Sequence, residues 1–319
     1  MRILSPFSLL RFSLYLAVAV PSAAAVVGER SKHATSRDHL ADIVTQILKS
    51  TEAHNSGSLP LATIYKATEN GHAASLAMMT SWHTIVKAER PSMLAIDTKQ
   101  GSAYLITDIS EGNSEMEGIL RGRVKVVDEN ITELELFINR SRGDDGYAFS
   151  AAELADNYKV LMSPPKNRKK ASRATLEAVG AAAWDSSNNL SVTVTPAIHR
   201  SGRDNHRHWD IRKRFLVSTH LHLVIDEELG LIVTNGLTQG KVYPYYGDIS
   251  TFIPDSMSSN QKLQEVWYEE VKKQGNVTLV VPTEATGENL EVLQFYDDEL
   301  QALQFHVFLT GPNMTSSWV

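Results

Sequence analysis

The two residues best suited to moving a proton are His220 and His222. They stand two apart in the alternating stretch 217–225, so as a strand they share one face. Imidazole titrates near neutrality, which suits general acid/base work. The apolar residues Val217, Leu221 and Leu223 take the other face. The histidines therefore serve chemistry only if their own side faces a pocket, and otherwise form a solvated or interface pair. A carboxylate candidate, Glu69, follows the strand-like residues around Tyr65 and precedes Gly71. A turn there would meet the mouth of a pocket. Burial would raise the pKa of Glu69 and fit it for acid or base catalysis, whereas exposure would leave a plain turn carboxylate. Tyr65, Trp82 and Tyr104, with His83, are candidates to line a substrate pocket, although a tryptophan is as readily a core residue. The segment 203–210 packs charge, imidazole and indole together and reads as a ligand-recognising rim or a polar loop.

Other chemistries lack their residues. The chain has no cysteine, which removes thiol catalysis, disulfide scaffolds and cysteine metal sites. No Gly-rich phosphate loop, nucleophile elbow or HExxH pair occurs, and no spacing marks a facial metal triad. No metal and no cofactor are predicted. With 37 acidic against 31 basic residues, the net field should neither attract nucleic acid nor press the chain onto anionic lipid.

Helices and strands must position the candidates, and they come twice. Leu40, Ile43, Val44, Ile47 and Leu48 form an amphipathic stripe behind a capping Ser36. Leu176, Val179, Gly180, Ala183 and Trp184 repeat it behind Ser172, 136 positions later. Ile96-Asp97 and the strand through Tyr104 and Ile106 match Ile225-Asp226 and the strand through Leu231 and Val233 at an offset of 129. The hairpin around Asp128-Glu129 matches that around Asp297-Asp298 at an offset of 169. The predicted class is α+β, two modules in which a curved antiparallel sheet wraps an N-terminal helix and leaves a cone-shaped pocket. The expected boundaries are 26–142 for the first module, 143–171 for a solvated connector, and 172–319 for the second module. The second module carries an insertion near 241–285 that contains a helix-like stripe of Leu263, Val266, Trp267 and Val271.

The N-terminus reads as an export signal. Arg2 and Arg11 precede a nearly unbroken apolar run of nine residues over 12–20, then Pro21, Ser22 and Ala23-Ala24-Ala25. Nine residues fall short of the about 20 needed to span a bilayer. Residues 1–25 are thus expected to be a signal peptide, and the mature chain to be secreted, or held in the secretory lumen, without stable membrane insertion. Five Asn-x-Ser/Thr sequons, at Asn130, Asn139, Asn189, Asn276 and Asn313, are potential glycan acceptors.

Several short motifs, in order along the mature chain, carry a family resemblance. They are Tyr65 with 68–71, Trp82, Val127-Asp128 with 131–135, Ser172-Arg173, Lys213-Arg214-Phe215, 225–228 with Gly230-Leu231, and the closing Gly311-Pro312 and Ser317-Trp318. In these the chain resembles secreted fungal proteins of a domain-of-unknown-function family built as tandem nuclear-transport-factor-like (SnoaL-like) cones. It departs from that family in lacking cysteines and in reading Arg200-Ser201-Gly202 at the second copy of the Glu-Asn-Gly motif. The resemblance implies a cofactor-free cyclase, dehydratase, isomerase or Diels-Alderase-like pericyclase of secondary metabolism acting on an apolar polyketide- or terpenoid-derived substrate. A non-catalytic secreted protein that binds a small molecule or acts as an effector is the alternative.

Overall fold

The computed structural model describes residues 35–140, 158–184, 193–194, 219–244, 250–255, 269, 273 and 282–315. The architecture is α+β, dominated by strands in two curved sheets with few helices. The signal segment 1–25, the rim 203–210 and the stripe of the insertion lie outside the described residues.

Helix α1 spans Arg37–Glu52 because its apolar residues recur at helical spacing and Ser36 closes its start, the hydroxyl accepting from the His39 amide at 3.1 Å. Leu40, Ile43, Val44, Ile47 and Leu48 are all buried. They face the first sheet, built from β1 (Leu61–Glu69), β2 (His72–Ala73), β3 (Ile85–Ala88), β4 (Met93–Asp97), β5 (Ser102–Glu111), β6 (Met116–Val127) and β7 (Asn130–Arg140). The order is β2-β1-β7-β6-β5-β3, with β4 also on β5. A short helix, α2 (Ser81–Thr84), drops Trp82 into the same core. Truncating a central residue such as Ile47 to alanine should cost about 2–5 kcal/mol, since nothing can collapse into the space.

The second sheet comprises β8 (Thr193–Val194), β9 (Thr219–Asp226), β10 (Leu231–Pro244), β11 (Ser250–Pro254), β12 (Thr283–Tyr296) and β13 (Glu299–Thr310), in the order β11-β10-β12-β13-β8 with β9 on β10. Helix α3 (Arg173–Trp184) covers one of its faces through Leu176 and Val179. The ladders of the two sheets correspond. The β5–β6 pairs run from Ser102↔Lys125 to Glu111↔Met116, and the β10–β12 pairs include Leu231↔Gln294 and Gly240↔Ala285. These differ by 129 on one strand and 169 on the other. Even the bulge recurs, between Lys125 and Val126 on β6 and between Gln294 and Phe295 on β12. Beyond Gly240 and Ala285 the β10–β12 ladder runs on to the pair Val242↔Thr283, and β11 folds back along β10.

The two sheets pack face to face. Met93, Ala95, Tyr104, Ile106 and Ile119 of the first meet Val224, Leu231, Val233, Leu290 and Val292 of the second. Each sheet is therefore covered on both sides, by a helix on one and by the other sheet on the other. The connector is partly structural instead of merely solvated. Residues 158–162 are helical, Tyr158 and Leu161 are buried in the inter-sheet core, and the Leu161 carbonyl accepts from the Gln294 side chain at 2.9 Å.

Candidate functional site

In the first half the fold uses the candidate residues for its own support. Glu69 ends β1, and its two oxygens accept from the amides of Thr80 and Ser81, both at 2.7 Å. Its carboxylate thereby satisfies the start of α2. Trp82 is buried, with Nε1 donating to Ser50 Oγ at 2.9 Å. Tyr65 is half-buried against the same helix-side core. His83 is exposed and bonds the Ala77 carbonyl. Tyr104 is buried on the opposite face of the sheet, among inter-sheet residues, so it does not line one pocket with Trp82 and Tyr65. The helix-side face itself is filled. A side chain at Gly122 would put a Cβ 2.8 Å from Leu136 Cδ2 and 3.3 Å from Leu105 Cδ2.

The corresponding face of the second sheet is polar. Thr234 replaces Leu105, Glu291 replaces Gly122 and Asn289 replaces Leu120 at the same ladder positions. Thr234, Glu291 and Asn289 are all buried. Asn289 Nδ2 donates to Thr238 Oγ1 at 2.7 Å, so two of the polar groups there satisfy each other. The candidate histidines lie on β9, next to this stripe. Register places His222 opposite Thr234, which is opposite Glu291; two residues along, His220 is opposite Gly236, which is opposite Asn289. The side chains of His220 and His222 lie outside what is described.

The inter-sheet face carries a second buried polar group. Glu288 is pushed up to about 7, first by burial and then by the nearby Glu135 carboxylate, against a bond from Asn235 Nδ2 at 2.8 Å. Burial also lifts the Tyr104 and Tyr158 phenols well above their ordinary range and pulls the Arg121 guanidinium down. Where the sheets part, a cleft of about 290 Å³ opens beside Asp97, Ser102, Arg123, Lys125 and Arg173. Arg173 and Asp97 close one wall with two parallel bonds of 2.9 and 2.8 Å.

Of the sequons, Asn130 stands exposed at the first position of β7 and Asn313 stands exposed in a turn. Asn139 is half-buried in β7, with its Oδ1 shut away from solvent. Asn189 and Asn276 lie outside the described residues. No described helix is long and apolar enough to cross a membrane.

Glu288 and Glu291 are absent from the sequence-based candidates. They stand three apart in a strand of alternating character, so whichever face was wet, one of them should have been solvated. Both are buried because both faces are covered.

No family model matches the chain, and no curated protein does. Among solved structures it is similar to a de novo designed protein with a curved β-sheet, at 10% identity and a TM-score of 0.28 over 40% of this chain and 99% of that one. It is also similar to AclR from Streptomyces galilaeus, whose hydroxylase designation is provisional, at 10% identity and a TM-score of 0.29 over 45% of this chain and 95% of that one. At this level the likenesses carry no weight for function, and the chain stands on its own geometry.

Proposed function

We propose that this chain is an exported, glycosylated and cofactor-free enzyme of tandem SnoaL-like build whose second half is the working half. Its reaction is a cyclisation, dehydration, isomerisation or cycloaddition of an apolar polyketide- or terpenoid-derived substrate. The observation that carries this reading is the row His222, Thr234, Glu291 across β9, β10 and β12, in a sheet whose counterpart has leucine and glycine at the last two of those positions. A buried carboxylate in register with an imidazole-bearing residue is a pair of groups able to take a proton from a substrate and return it elsewhere. Positioning in a closed site supplies the remainder, on the order of 7–11 kcal/mol when the reacting atoms are held in place.

The test is deletion of the gene in its native host, with metabolite profiling and complementation. Wild-type and Glu69→Gln chains should restore the missing product. Glu291→Gln and His222→Ala chains, secreted at normal levels, should leave an uncyclised or isomeric precursor, with turnover lowered roughly a hundredfold. An unchanged metabolite profile in the deletion strain would overturn the enzymatic reading and leave a secreted binding protein.

A further inference from the structure

On the face of β6 turned to the second sheet, Arg121, Arg123 and Lys125 follow one another at every second residue. Their surroundings differ. Lys125 and Arg123 meet Glu133 at 3.4 and 2.8 Å, and Arg123 Nε approaches Glu135 at 3.5 Å. Among the described residues, Arg121 meets no carboxylate. It is 6% exposed, its Nε is buried without an acceptor, and the groups within electrostatic reach are the phenols of Tyr104 and Tyr158. The Tyr104 hydroxyl is likewise buried without a partner.

A guanidinium offers donors alone, and a phenol can turn its proton to an acceptor. Among the described residues, then, the buried Nε and full positive charge of Arg121 have no carboxylate to receive them, and the Tyr104 hydroxyl has no hydrogen-bond partner. An ion left uncompensated in a protein interior costs several kcal/mol, and buried polar groups without partners generally mark a bound water or ion. Packing between the sheets does not call for this set. At the corresponding ladder positions the second sheet has Val233 for Tyr104, Leu290 for Arg121 and Val292 for Arg123. The outer end of the basic row reaches solvent, since Lys125 and Arg123 line the 290 Å³ cleft. Arg121 lies two residues further along the strand than Arg123, about 7 Å.

We propose that Arg121 and Tyr104, with Tyr158 beside them, form an anion-binding site between the two sheets, entered from the cleft at Lys125 and Arg123. Its ligand is a small monovalent anion, either the carboxylate of an organic molecule or a halide. The site is separate from the row of His222 and Glu291, and each can fail without the other.

The test uses the full chain, with sodium bromide and sodium acetate as probes. Either salt should raise the thermal midpoint of the wild type saturably, on the order of 5 °C at a hundredfold excess over Kd. Arg121→Leu places the residue found at the corresponding position of the second sheet, so it should fold, and its saturable rise should be gone. Wild-type crystals soaked in bromide should show an anomalous peak within hydrogen-bond distance of the Arg121 guanidinium. Acetate that displaces the bromide identifies a carboxylate site, and bromide that acetate cannot displace identifies a halide site. An Arg121→Leu response equal to that of the wild type, or water alone on Arg121 in the soaked crystals, would overturn the proposal.

Discussion

Arg37 grips Asp226, 189 residues away, through two parallel bonds of 3.1 and 2.8 Å. Asp226 is fully buried, and its oxygens also accept from the amides of Ile96, Glu228 and Leu229. The same arrangement recurs where Arg173 grips Asp97, whose oxygens take the amides of Ile225, Lys99 and Gln100. Each helix thus begins on an arginine that reaches the strand end of the opposite half. Asp226→Ala should cost about 3–5 kcal/mol, because it strands a guanidinium and three amides. Arg37→Ala, which leaves those amides bonded, should cost about 2 kcal/mol. Urea unfolding of both variants checks the order, and an equal loss would refute the account.

Glu288 should make stability depend on pH. Its value in the folded chain is about 7 against an ordinary 4.5, so the folded state holds the proton more tightly. The protonated form stabilises the fold fully below about pH 4.5. That contribution fades as pH rises and is gone above about 7, a loss of roughly 3 kcal/mol at most. Glu288→Gln keeps a neutral hydrogen-bonding group and should be insensitive to this change. Unfolding midpoints at pH 5 and pH 8 should show the variant gaining on the wild type at pH 8; parallel curves would rule the effect out.

Glu69→Ala should behave as the loss of a helix cap, with stability down by about 1–2 kcal/mol and both Thr80 and Ser81 amides left without their acceptor. Amide exchange at residues 80 and 81 should rise selectively. Exchange unchanged at those two amides would contradict the structural role.

Gly101 and Gly230 should prove equally intolerant of a side chain. Both have positive φ, +63 and +69, and a Cβ would lie 2.4 Å from the backbone oxygen of Val126 or Phe295 respectively. Alanine at either position should cost about 3 kcal/mol or more, from strain and collision together. Chemical denaturation of the two variants supplies the comparison, and a loss at only one of them would break the correspondence between the hairpins.

Glycan occupancy should follow exposure. In chain secreted from a eukaryotic host, Asn130 and Asn313 should carry glycans and Asn139 should not, because it sits half-buried in a paired strand. Peptide mass mapping before and after deglycosylation reads this directly, and a glycan on Asn139 alone would reverse the expectation.

Part of the local grammar of the chain is visible in its residues, while the helical turn at 158–162 within the expected connector is not. The stripe of Leu40, Ile43, Val44, Ile47 and Leu48 and the cap at Ser36 are set by helical spacing and one hydroxyl. The offsets of 129 and 169 are likewise those of the ladders, since turn residues and alternation are short-range properties. What stacking alone decided is which polar residues are buried. A strand sequence assumes one wet face, and here the first sheet and the helix α3 cover the two faces of the second sheet, turning Glu288 and Glu291 into interior carboxylates. The same packing gave Glu69 to two backbone amides, and placed Trp82 and Tyr104 on opposite sides of one sheet, because a side chain's partners across 50 or 200 residues depend on how layers meet and not on its neighbours in the chain.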